Sequence, residues 1–94
     1  MEVVTIARSY CVELTVEQFL AIEALDEAHE KKGAATLCDL LGSMGAQQIE
    51  YNGHFGAAIF FTLPDELQYR LADIILLINS YIQTAKEKVR EYEN

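Results

Sequence analysis

Four side chains carry the chemistry of nucleophiles, bases or soft metal ligands: Cys11, Cys38, His29 and His54. A cysteine beside a histidine can supply a thiolate and its base, and two of each can hold zinc in a tetrahedron. Neither arrangement has the close ligand spacing that marks such sites, because the chain has no Cys-x-x-Cys pair and its histidines stand far apart. Both cysteines lie among apolar neighbours, where Cys most often acts as a small buried hydrophobe. His54 follows an Asn-Gly pair and is expected at the surface beside Glu50. No catalytic residue, metal ligand or cofactor is therefore expected.

The first helical region has two further patterns. Asp26-Glu27-Ala28-His29 spells the box that names a large group of helicases. There the acidic pair ends a buried strand and works on magnesium beside a Gly-rich phosphate loop. This chain has no such loop, and its tetrapeptide falls late in a helix. Asp26 and His29, three apart, would present a carboxylate and an imidazole together. Di-metal bundles need that unit twice, and no second copy occurs.

The same region carries Glu23, Asp26, Glu27 and Glu30, at i, i+3, i+4 and i+7. These positions form one stripe, opposite Leu20, Ala21, Ala24, Leu25 and Ala28. Four carboxylates then span about 10 Å, roughly one per 3.5 Å, close to the phosphate spacing of about 3.4 Å along one nucleic-acid strand. The stripe has a local cost. Glu23 with Glu27 and Asp26 with Glu30 are like-charged i, i+4 pairs, each destabilising by about 0.2–0.5 kcal/mol, and Glu27 with Lys31 offsets only part of it. A local rule broken without compensation points to a functional surface.

The elements that must hold these residues follow from periodicity. Residues 3–14 alternate, with Val4, Ile6, Tyr10, Val12 and Leu14 on one face and Arg8 as the interruption. Thr15 and Gln18 match a capping box, which starts the first helix and carries it to about Lys32, before Gly33. Leu37, Leu40, Leu41 and Met44 predict a short second helix over 34–44. Gln47–Tyr51 and His54–Leu63 read as a hairpin. A three-residue loop, Tyr51-Asn52-Gly53, would pair Glu50 with His54 and Ile49 with Phe55, gathering the apolar side chains on one face. After Pro64, Leu67, Leu71, Ile74, Ile78, Tyr81 and Ala85 form the seam of a last helix, with a polar tail from about residue 86 that frays or projects.

The order β-α-α-β-β-α predicts one α+β domain over 1–94: a three-stranded antiparallel sheet with helices packed on one face. The other face is left open, carrying Thr5, Ser9, Glu13, Gln48, Glu50 and His54. The length suits one domain and not two. Seven Lys plus Arg against fifteen Asp plus Glu give a net charge of −8, which speaks against direct DNA binding, since that grip rests on basic side chains. Two cysteines fit a reducing compartment. Met1-Glu2-Val3-Val4 lacks the start of a signal peptide, and the apolar run Ile74–Ile78 is too short to cross a bilayer. A cytoplasmic protein with no membrane contact is expected.

A small α+β domain, no catalytic motif, a charge of −8 and the stripe Glu23, Asp26, Glu27 and Glu30 together resemble the small acidic anti-CRISPR proteins of phages. The resemblance covers the whole chain as a profile and not as a signature motif. It implies a non-enzymatic inhibitor, working in the host bacterial cytoplasm, that binds an RNA-guided CRISPR surveillance complex and blocks target DNA recognition by occupying a basic nucleic-acid channel. Arg8, Lys31, Lys32 and Arg70 would be the residues available to guide RNA. The alternative is a small dimeric regulatory or antitoxin-like protein-binding module, its homodimer formed through the C-terminal helix, where Ile74–Ile78 is apolar all round.

Overall fold

In the computed structural model, residues 7–52 and 56–93 are described, with side chains as far as residue 88. Strand β1 (Ala7–Leu14) is followed by helix α1 (Val16–Lys32), helix α2 (Leu37–Ser43), strands β2 (Gln47–Asn52) and β3 (Ala57–Pro64), a 3₁₀ segment (Asp65–Arg70) and helix α3 (Leu71–Glu93). The three strands form one antiparallel sheet in the order β1-β3-β2, the α+β architecture expected from the sequence.

Local chemistry fixes both ends of α1. The Thr15 hydroxyl accepts from the Gln18 N–H at 3.1 Å, and the Gln18 side chain accepts from the Thr15 N–H at 2.9 Å. At the other end Gly33 takes φ 72°, and the Ala34 N–H closes back on the His29 carbonyl at 2.8 Å. A second capping box, Thr36 with Asp39, starts α2 at Leu37 rather than at Ala34. Thr36 must stay extended to cap, so Ala34 and Ala35 become linker. At Gly45, φ is 99°, a conformation that residues with a Cβ rarely adopt, and a Cβ there would also press on the Leu67 side chain, so glycine is favoured.

The hairpin register differs from the expected one. Glu50 lies opposite Phe60, Tyr51 opposite Ile59 and Asn52 opposite Ala58, where the expected loop would have set Glu50 opposite His54. Gly53, His54 and Phe55 lie outside the described residues, as do Val4, Thr5 and Ile6. A three-residue loop would have set Gln47 against Ala57 and left the second half of β3 without a β2 neighbour. The observed register puts Gln47 against Thr62 and uses nearly all of β3. Over Glu50–Asn52 the slip is an even number of residues, so those side chains keep their faces, whereas Gln47 changes face to lie opposite Thr62. A bulge between Gln47 and Glu50 absorbs one residue, with Gln48 at φ 51°.

Tyr10, Val12, Ile59, Phe61 and Leu63 face the helices and enclose a core with Ile22, Leu25, Leu37, Leu41, Ile74 and Ile78. The last helix begins later than Pro64 suggests. Gln68 donates to the Leu63 and Pro64 carbonyls at 2.8 and 3.3 Å and accepts from the Tyr10 hydroxyl. Those bonds tighten 65–70 into 3₁₀ geometry before α3 starts. The polar run beyond Gln83 continues the helix to Glu93 instead of fraying. No described helix is long and apolar enough to cross a membrane.

Candidate functional site

Among the four stripe residues, Asp26 is the exception. Glu23, Glu27 and Glu30 are exposed on α1, whereas Asp26 is half-buried. One oxygen of its carboxylate accepts the Leu37 N–H at 2.9 Å, the first helical amide of α2, and the Tyr81 hydroxyl of α3 at 2.5 Å. It therefore ties three helices together, and the exposed row is reduced to three carboxylates over about 10 Å. This corrects the expectation of four outward anions. Helical spacing sets the angular position, but the neighbouring amide and hydroxyl draw Asp26 inward, since unpaired buried donors are costly.

His29 joins the same cluster. Its Nδ1 donates to the Ala35 carbonyl at 2.9 Å, and its ring meets Tyr81 edge-on at a centroid distance of 5.7 Å. Burial, then the hydrogen bond and charge of Asp26, push the Tyr81 hydroxyl far above the ordinary tyrosine range. Burial and the Asp26 charge do the same to Tyr51, whose buried hydroxyl lies near that carboxylate without a well-aligned partner. The thiol of Cys38 is partly shielded although the residue is exposed; that shielding, with Asp39 and Asp26, raises its pKa. A nucleophilic thiol needs the opposite shift. Cys11 lies away from this cluster, on β1 opposite Phe60 across the open sheet face. Among the described residues, no group of three or more His, Cys, Asp or Glu side chains is placed to hold a metal ion.

Two exposed features escaped the sequence reading. Leu20 and Ala24, expected on the buried side of α1, are exposed, and the core is made instead by Ala21, Ile22 and Leu25. Val16 is 65% and Leu20 56% exposed, so the outer face is apolar at its start and acidic further on. The signal was present in the spacing: Val16, Leu20, Glu23, Glu27 and Glu30 follow one 4-3-4-3 repeat. The second feature is a groove of about 410 Å³ between α1 and α3, floored by Ala24, Ala28 and Ala85 and rimmed by Lys31, Lys32 and Lys88. Glu27 also borders it and pairs with Lys31 at 3.3 Å. No sequence motif joins Ala85 and Lys88 to α1, since only packing brings them there.

The seam of α3 is used internally. Ile74, Ile78, Tyr81, Ile82 and Ala85 are buried in the protomer's own core, and within Ile74–Ile78 only Leu76 is strongly exposed. Of the cations named as available to RNA, Arg8 sits by Asp65 at 3.7 Å, Lys31 pairs with Glu27, and Arg70 donates to the Met44 carbonyl at 3.1 Å. The uncovered sheet face presents Ser9, Cys11, Glu13, Glu50 and Thr62 around Phe60, which is 38% exposed.

The chain matches no protein-family model, no curated protein and no solved structure.

Proposed function

We propose that the protein is a non-enzymatic inhibitor that occupies a basic nucleic-acid channel, of the kind found in an RNA-guided CRISPR surveillance complex, and thereby blocks target DNA recognition. The observation that carries this reading is the outward row Glu23, Glu27 and Glu30 on α1. Asp26 pins α1 to α2 and α3, and caps fix both its ends. The backbone that carries these glutamates is thus fixed before any partner arrives, which lowers the ordering cost of binding. With a net charge of −8, approach to a cationic channel is accelerated at long range.

The test is competition with target DNA for a purified surveillance complex. Inhibition is expected to weaken at least tenfold as salt rises from about 50 to about 300 mM. The triple variant Glu23→Lys, Glu27→Lys, Glu30→Lys should lose inhibition while keeping the wild-type circular dichroism spectrum. Inhibition unchanged by that reversal would overturn the proposal.

A further inference from the structure

The outer face of α1 and the groove beside it are complementary to each other, and we infer that a second copy of this chain docks there, pairing the two α1 helices antiparallel about a two-fold axis near Ala24. The N-terminal half of α1 offers two projecting apolar side chains, Val16 and Leu20, with Glu17 beside them. The C-terminal half offers the hollow: small side chains at Ala24, Ala28 and Ala85, with Lys31, Lys32 and Lys88 outnumbering Glu27, the partner of Lys31, along its rim. A knob flanked by acid and a small-residue groove rimmed by base lie on one surface of one molecule.

Only one relative orientation satisfies both halves. With the helices antiparallel and centred on Ala24, Leu20 of each copy seats over Ala28 of the other, and Glu17 comes opposite Lys31 and Lys32. A parallel pair would set Leu20 on Leu20, bring the lysines together and leave both grooves empty. The antiparallel arrangement is isologous and closes at two copies. It also opposes the two helix dipoles favourably.

The contact is small. A helix of 17 residues gives a face about 25 Å long and about 10 Å wide, so the total buried area stays under about 1,000 Å², in the range of weak association. A dissociation constant on the order of 10–100 µM is expected. The arrangement has a geometric consequence for the acidic row. The two-fold axis leaves the Glu23, Glu27 and Glu30 rows of both copies along the same side of the helix pair, making one ladder of about 18 Å between the outermost glutamates. Dimerisation itself does not depend on the proposed target, and its test uses none.

Sedimentation of the isolated protein should show the mass rising from 10.6 kDa toward twice that value between about 1 and about 300 µM. Leu20→Lys, which puts a cation against the lysine rim at an exposed position, should hold the protein monomeric throughout. Leu76→Lys, at a position 63% exposed on α3, should leave the dimer intact. Glu17→Lys and Lys32→Glu should each weaken association about tenfold, and the double variant should recover most of it. A strict monomer at about 300 µM overturns the inference. So does a dimer that survives Leu20→Lys, or one dissociated by Leu76→Lys, which would move the interface to α3.

Discussion

Asp26 and Glu27 are sequence neighbours in one acidic stripe, yet they belong to different parts of the molecule. The Asp26 carboxylate meets a helix-starting amide and a tyrosine hydroxyl, so it is a structural acceptor joining α1, α2 and α3. Among the described residues, the Glu27 carboxylate pairs with a solvated lysine one turn away. The contrast shows what a stripe of like charge means. Spacing on a helix tells which residues point in similar directions, while the donors supplied by other elements decide which of them the fold consumes. Those left over are free to meet a partner.

Breaking the inward member should have the largest effect. Asp26→Ala leaves the Leu37 N–H and the Tyr81 hydroxyl without their acceptor in a half-buried setting, which costs about 2–3 kcal/mol. For a domain of this size that lowers Tm by about 10–20 °C. Asp26→Asn retains an acceptor and should recover part of the loss. If thermal unfolding of Asp26→Ala matched that of the wild type, the distinction between inward and outward carboxylates would fall.

The two tyrosines around Asp26 sharpen the comparison at about 1 kcal/mol. Tyr81 gives its hydrogen bond to Asp26, so Tyr81→Phe should destabilise by about that amount. Tyr51 buries a hydroxyl that has no well-aligned partner among the described residues, so Tyr51→Phe should stabilise by about 0.5–1 kcal/mol. Opposite signs in urea titrations are the expected result. A pH dependence follows as well. Both hydroxyls are held above the ordinary value of 10.0 in the folded state, chiefly by burial and by Asp26. A raised folded pKa contributes stability that is complete below that ordinary value and is lost as pH climbs past it. Urea midpoints should therefore hold steady up to about pH 10 and fall above it. The fall should be shallower in the double Phe variant.

Much of the fold is legible in the sequence because it rests on local signals. The Thr15–Gln18 box and Gly33 bound α1, and the alternation around Tyr10 and Val12 gives β1 its buried face. The hairpin register was not legible from the turn residues, since β3 is the central strand and its alignment answers to β1 and β2 together. Thr36 and Asp39 did spell the second capping box, three residues apart, but the apolar periodicity from Leu37 obscured where the helix starts. Of the candidate site, the outward positions of Glu23, Glu27 and Glu30 could be read from spacing. The withdrawal of Asp26 could not, because its partners Leu37 and Tyr81 lie 11 and 55 residues away. The exposure of Leu20 is a case of neighbouring angles. Ala21, Ile22 and Leu25 already fill the core-facing sector, and Leu20 falls outside it.

The smallest expected effect concerns the outward carboxylates themselves. Reversing Glu23, Glu27 and Glu30 to Lys removes the Glu23–Glu27 repulsion and the exposed Glu27–Lys31 pair, and places cations nearer the C-terminal end of α1. Repulsion between the new lysines returns much of what the old pair cost, and solvent-exposed pairs are worth about 0.2–0.5 kcal/mol in either direction. The unfolding free energy should therefore stay within about 0.5 kcal/mol of wild type, several times less than the change at Asp26, one residue away from Glu27. A loss above about 2 kcal/mol would mean that these glutamates also hold the fold together. Their exposure would then no longer separate a binding surface from a structural one.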